Sequence, residues 1–175
     1  MIKAYFDGSC EPKNPGGHAH AGYVYYNMGA KKKGSVCVGT GPAMSNNVAE
    51  WSGVIALLQD FLSCGLEKSP IEVYGDSNMV INQAMGKNSA KKKNGLYVPY
   101  YNRGMALLEK FTNINFVWIP RESNVEADKQ SRCRQRAWTP RTIETIVPVL
   151  VASHSREVLA SSKPVRERGS GPCQG

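Results

Sequence analysis

Ile2-Lys3-Ala4-Tyr5-Phe6-Asp7-Gly8 opens the chain with an apolar run that ends on a carboxylate. A short run rich in aromatic and branched residues, closed by Asp-Gly, reads as a strand. The same arrangement recurs downstream. Ile71-Glu72-Val73-Tyr74 runs into Gly75-Asp76, and Ser77 starts a new helix. Two further acids take comparable places. Glu50 lies in the first turns of a helix opened by Ser45-Asn46-Asn47, and Asp128 lies in a helix just after a third strand, Ile114-Asn115-Phe116-Val117-Trp118-Ile119. Carboxylates at strand ends and on adjoining helices can converge at one rim of a sheet. Such a cluster repels itself unless a cation neutralises it. Hard, oxygen-seeking Mg²⁺ or Mn²⁺ is the natural candidate.

Outward from these strands, residues 20–28 read as a strand rich in Tyr and Val, 29–34 as a turn carrying exposed lysines, and 35–40 as the returning strand. With residues 2–7 they form an antiparallel three-stranded meander. Ala49, Val54, Leu57, Leu58, Phe61 and Leu62 share a helical period over about 46–63. Ser45 or Asn46 is its N-cap and Gly65 its C′ residue. A helix from Ser77 to about Met85, a Lys-rich segment to Gly95 and a helix over about 98–111 follow. The strand at 114–119 and a helix over 124–136 complete the set. The expectation is an α/β fold: a five-stranded mixed sheet, the meander plus two parallel strands, flanked by helices. Residues 1–140 form the expected main domain. Residues 141–175 are expected to be a basic extension, disordered in its Ser-, Gly-, Pro- and Arg-rich final part.

The 175 residues are 41% hydrophobic and 21% charged, as in an ordinary soluble globular protein. The longest apolar stretch, 146–152, is too short to cross a bilayer. Met1-Ile2-Lys3 leads straight into the first strand, with no targeting segment read. The five Cys show no CxxC spacing, which points to reduced thiols and a cytoplasmic setting. A net charge of +8 and a pI near 9.3 favour a polyanionic partner, nucleic acid foremost. A basic surface beside a carboxylate cluster suits phosphodiester chemistry.

At this point the motifs resemble a family. Asp7-Gly8-Ser9-Cys10, Asn14-Pro15-Gly16-Gly17, Ser45-Asn46-Asn47-Val48-Ala49-Glu50, Gly75-Asp76-Ser77 and Pro120-Arg121-Glu122-Ser123-Asn124-Val125-Glu126-Ala127-Asp128 follow the order and spacing of type 1 ribonuclease H. The resemblance spans about residues 1–136. It implies a ribonuclease H-like fold and a metal-dependent endonuclease that hydrolyses the RNA strand of RNA–DNA hybrids, leaving 5′-phosphates. It further implies two Mg²⁺ ions, with Mn²⁺ as a substitute. Asp7 would bridge both ions, Glu50 and Asp76 would hold one, and Asp128 the other. Gly8, Ser9, Asn14, Ser45, Asn46, Asn47 and Asn78 match positions that contact the hybrid. A monomer acting on an RNA–DNA hybrid, with no membrane partner, is expected.

The chain departs from the family pattern in three places. Trp118 stands where many members carry a loop His, ten residues before the last acid. The loop from Glu11 to Gly17 is one residue longer than usual. The segment between Met85 and Tyr97 is only modestly basic, and two readings of Lys87, Lys91, Lys92 and Lys93 stay open: a partial replacement for the family's basic handle on the DNA strand, or a solvated Lys-rich loop. These departures keep open a second reading, a ribonuclease H-fold module that binds hybrid or structured RNA with little or no cutting. His18, His20 and His154 are candidate replacements for the absent His. Trp51, Trp118 and Trp138 are read as packing residues, and Asp60 and Glu126 as solvated charges.

Overall fold

The computed structural model describes residues 1–90 and 95–132. The expected domain boundary at 140, the extension, Lys91 to Lys93, Trp138 and His154 lie outside them. Among the described residues five strands, β1 (Ile2–Glu11), β2 (His18–Asn27), β3 (Ala30–Thr40), β4 (Ile71–Gly75) and β5 (Ile114–Trp118), form one sheet in the order β3-β2-β1-β4-β5. β1, β2 and β3 pair antiparallel, while β4 runs parallel to β1 and β5 parallel to β4. Four α-helices accompany them among the described residues: α1 (Asn46–Ser63), α2 (Asn78–Ala84), α3 (Val98–Leu108) and α4 (Val125–Ser131). The expected mixed sheet is therefore the observed one.

The lysine turn is corrected. The β2–β3 connection is only Met28 and Gly29, both at positive φ (51° and 82°). Two such residues make the tight turn whose twist suits a hairpin. Met28 thus leaves the strand and stands fully exposed, and Lys31, Lys32 and Lys33 fall within β3. Lys31 pairs with Glu126 and Lys32 with Asp60 at 2.7 Å. Neither acid is merely solvated, although exposed pairs of this kind add little stability.

The core lies between the sheet and α1. Val48, Trp51, Val54, Leu57, Leu58 and Phe61 of α1 are wholly buried against Ala4, Phe6 and Val73 of the central strands. Trp51 is the largest of them. Its indole N–H donates to Gln83 Oε1 at 3.0 Å, and Gln83 Nε2 donates to the Tyr97 hydroxyl at 3.2 Å. The three polar groups satisfy one another, which is what their burial requires, and they tie α1 to α2 and to the start of α3.

One asymmetry of the sheet positions the site. β4 pairs with β1 only from Ile2 to Tyr5, while β1 continues to Glu11. The register Tyr5 opposite Tyr74, carried two residues on, sets Asp7 beside Asp76 where the parallel strands end. In open α/β sheets this carboxyl edge is where ligands bind.

Candidate active site

Asp7 is the centre of the rim. It faces Gly22 across the β1–β2 pair and is only 7% exposed. The Ser131 hydroxyl at the end of α4 donates a short hydrogen bond to its Oδ2. Burial pushes its pKa up from 3.8 to about 6, with Asp76 and Asp128 adding repulsion against the Ser131 bond.

Glu50 reaches the rim from α1. Ser45 caps that helix by accepting from Val48 N–H at 3.3 Å. Gly8 brings the helix close: a Cβ there would lie 2.2 Å from Glu50 N and 2.4 Å from the Ala49 carbonyl carbon. Burial pushes the Glu50 carboxyl from 4.5 to about 8, reinforced by Asp7 and Asp76 and eased by a hydrogen bond from Ser77. Its Oε2 is buried without a hydrogen-bond partner.

Asp76 follows β4. Asn124 holds it, its Nδ2 donating to Asp76 Oδ1 and to the Phe6 carbonyl, both at 2.9 Å. Asn124 is itself buried and so clamps the ends of β1 and β4 together. Asp128 comes from α4, which settles on β2 because Gly22 has no side chain: a Cβ there would lie 2.3 Å from Ser131 N. Its Oδ1 accepts from Arg121 Nη2 at 3.4 Å and from Arg132 Nε at 3.1 Å.

The four acids therefore share one rim and act on one another electrostatically. Among the described residues, however, no three His, Cys, Asp or Glu side chains stand in a ready ligating array. The donor set nonetheless fits a hard divalent ion. It is all oxygen, its two most buried carboxylates resist ionisation, and Glu50 Oε2 lacks the partner that a buried acceptor needs.

The expected substrate residues divide. Gly8, Ser9, Asn14, Ser45 and Asn46 lie together at the α1 end of β1, held by internal bonds. Asn46 Oδ1 accepts from Cys10 N–H at 2.8 Å, and Asn14 Oδ1 accepts from Asn46 N–H at 3.0 Å. Ser9 Oγ donates to the Ser131 carbonyl at 3.2 Å. At this helix N-terminus the N–H groups of Asn46 and Val48 are already bonded. Asn47 is exposed. Asn78, also exposed, opens α2 and accepts from Asn82 Nδ2 at 2.7 Å.

One reading needs revision. Trp118 is not a packing residue: it is 51% exposed, and its indole N–H donates to the Asp76 carbonyl at 3.1 Å. Arg121 pairs with Asp128 at 3.4 Å. His18 is engaged with Thr40 Oγ1 at 2.9 Å across the hairpin. Sequence reasoning missed the roles of Ser77, Asn124 and Ser131. Ser77 and Asn124 lie inside quoted motifs, whereas nothing in the chain marked Ser131 as a partner of an acid.

The raised carboxyls make the metal-free protein pH-sensitive. A folded-state pKa above the unfolded value contributes stability at low pH that fades as pH rises through the folded value. The window here runs from about 4.5 to about 8 for Glu50. Stability of the EDTA-treated chain should fall across that window. Glu50→Gln should flatten the slope and stabilise the chain at pH 8.5 by several kcal/mol. Thermal melts of both proteins at pH 5 and pH 8.5 check this. A parallel pH dependence in the two would remove Glu50 as the cause.

A family model described as reverse transcriptase-like matches residues 5–133. The bifunctional protein Rv2228c of Mycobacterium tuberculosis H37Rv is 35% identical over 85 residues, 49% of this chain and 22% of that protein. The chain thus spans about a fifth of the curated relatives it matches. Among solved structures, an RNase H1 from the halophilic archaeon Halobacterium salinarum NRC-1 matches with a TM-score of 0.63 and 28% identity, over 74% of this chain and 93% of that one. The N-terminal RNase H domain of Rv2228c from Mycobacterium tuberculosis, solved as a fusion with maltose binding protein, gives 0.59 and 29%, over 75% and 91%. LC11-RNase H1, solved in complex with an RNA/DNA hybrid, gives 0.61 and 27%, over 74% and 93%.

Proposed function

Because the chain belongs to the reverse transcriptase-like family, and its sheet and helices are those of type 1 ribonuclease H, we propose that it hydrolyses the RNA strand of RNA–DNA hybrids. The observation that carries this reading is the rim itself. Asp7 and Glu50 are pressed together by a helix–strand contact that only Gly8 permits, at the cost of carboxyls that resist ionisation. Folds rarely keep such a cluster without a use for it.

Asp7, Glu50, Asp76 and Asp128 are the residues that would hold divalent ions, two by the family pattern, Mg²⁺ or Mn²⁺. Such ions, when bound, activate a water and neutralise charge on the leaving oxygen. The chain's own groups do the positioning. Ser131 orients Asp7, Ser77 bonds Glu50, and Asn124 orients Asp76 while fixing the strand ends. A ribose brought beside Asp7 would present the 2′-hydroxyl that distinguishes RNA from DNA. Arg121 and Arg132, the partners of Asp128, are cations at the rim and suited to phosphate.

The test is cleavage of a strand-labelled RNA–DNA hybrid in Mg²⁺, Mn²⁺ or EDTA, with double-stranded RNA and DNA as controls. Metal-dependent cutting of the hybrid's RNA strand alone is expected. One observation favours a second reading, a module that binds without cutting: Asp128 is engaged by two arginines. Equal binding with and without EDTA, and no cutting in either metal, would select it.

A further inference from the structure

Ser131 lies outside every motif quoted from the sequence, yet it is wholly buried and bonds to two of the four acids. Its hydroxyl reaches Asp7 Oδ2 on β1 and, at 2.9 Å, the main-chain carbonyl of Asp128 on its own helix. A serine hydroxyl has one proton to give, so the two acceptors compete for it. The carboxylate is the stronger acceptor, because a hydrogen bond to a charged group is roughly twice as strong as a neutral one. The Asp128 carbonyl can yield the proton without being left bare, since it also accepts from Arg132 N–H at 3.1 Å. The Ser131 proton is thus available to Asp7.

The surroundings hold the residue in place. α4 meets β2 where Gly22 is bare, and a Cβ there would lie 2.3 Å from Ser131 N. Ser9 Oγ, on β1, donates to the Ser131 carbonyl at 3.2 Å. Ser131 is therefore tied to β1 through both its hydroxyl and its carbonyl. Asp128 stands three residues earlier, and residues three apart share one face of a helix. Ser131 is in this way the joint between an acid of the sheet and an acid of the helix.

We propose that Ser131 is a positioning residue for metal binding: by fastening the Asp7 carboxylate to α4, it sets the affinity for a divalent ion held by Asp7 and Asp128. The inference rests on the metal-dependent reading above and adds the element that joins two of its acids. Hydrogen-bonded partners of ligating carboxylates fix their orientation, and losing one costs roughly 10- to 100-fold in metal affinity.

The experiment measures Mn²⁺ binding to the full chain, without nucleic acid, from the electron paramagnetic resonance signal of free Mn²⁺. Hybrid cleavage is then followed over a range of Mn²⁺ concentrations. Ser131→Ala removes the hydroxyl and little volume, and should bind Mn²⁺ roughly tenfold or more weakly than wild type. The Mn²⁺ concentration for half-maximal cleavage should rise by the same factor, while the rate at saturating Mn²⁺ stays close to that of wild type. Ser131→Cys keeps the shape with a weaker donor and should fall between the two. It carries the test if Ser131→Ala does not fold. Ser52→Ala is the control. It loses a buried hydroxyl bond, 2.7 Å to the Val48 carbonyl, that touches no acid, and should bind Mn²⁺ as wild type does. Unchanged affinity in Ser131→Ala, or in Ser131→Cys where that stands in, overturns the proposal. Equal weakening in Ser52→Ala overturns it as well, as does a cleavage loss with an unchanged Mn²⁺ requirement. If Mn²⁺ binding depends on Ser131 in this way but wild type never cuts the hybrid, the inference stands and the hybrid reading falls. If wild type cuts the hybrid and Ser131→Ala binds Mn²⁺ equally well, the reverse holds.

Discussion

Asp7→Asn removes on the order of a thousandfold or more of hybrid cleavage while leaving the fold and hybrid binding in place. The size follows from the position. A carboxylate meant to hold ions that stabilise both attacking and leaving oxygens contributes several kcal/mol to the transition state, and each 1.36 kcal/mol is about tenfold in rate. The fold survives because the substitution is nearly isosteric. The carboxamide oxygen can still accept from Ser131, and the neutral group no longer resists burial as Asp7 does, with its pKa near 6. The Asp7→Asn protein should therefore melt no lower than wild type in EDTA at pH 8. Single-turnover cleavage, anisotropy and a thermal melt on one preparation check all three points. Wild-type cleavage by this variant would remove Asp7 from the chemistry. Loss of binding equal to the loss of cleavage would make its role structural.

The sheet was legible from short-range pattern. The apolar runs at Ile2 and Ile71 each end on Asp, and the helical period from Ala49 to Leu62 is regular. Those signals are local, and they placed all four acids on the elements where they are found. What stayed hidden depends on contacts between distant segments. Ser131 lies 124 residues from Asp7, and Asn124 lies 48 from Asp76; a buried Ser or Asn carries no periodic mark of its partner. The lysines at 31–33 misled because three like charges beside Gly29 look like a turn. The hairpin instead turns at Met28-Gly29, and Lys31 and Lys32 find Glu126 and Asp60. Trp118 misled for the opposite reason. Aromatic residues in strands are mostly core, but β5 is an edge strand and its last residue points a half-exposed ring toward a cleft.

Gly8→Ala is expected to damage both stability and catalysis without touching a carboxylate. The added Cβ would meet backbone atoms, Glu50 N at 2.2 Å and Glu50 Cα at 2.6 Å. Backbone cannot rotate away as a side-chain end can, so α1 must lift from β1. Overpacking of this kind costs about 1–3 kcal/mol, a fall in Tm of roughly 5–10 °C for a domain of this size. The larger effect is on the rim. Glu50 rides on the segment that moves, and a displacement near 1 Å in a catalytic group costs on the order of a hundredfold in rate. Gly22→Ala makes the complementary test. Its Cβ would meet Ser131 N at 2.3 Å, so it displaces α4 and with it Asp128, while leaving α1 and Glu50 alone. Gly53→Ala is the milder control, with its nearest contact, the Asp7 carbonyl oxygen, at 3.1 Å. Melting curves and cleavage rates for the three should rank Gly53→Ala as least harmful in both. Gly8 adjoins Asp7 in β1 and Gly22 faces it in β2, so one carboxylate has a bare position on each face of the sheet. That pairing lets two helices close on Asp7 from opposite sides, and full activity in both Gly8→Ala and Gly22→Ala would show that so close an approach is not what the site requires.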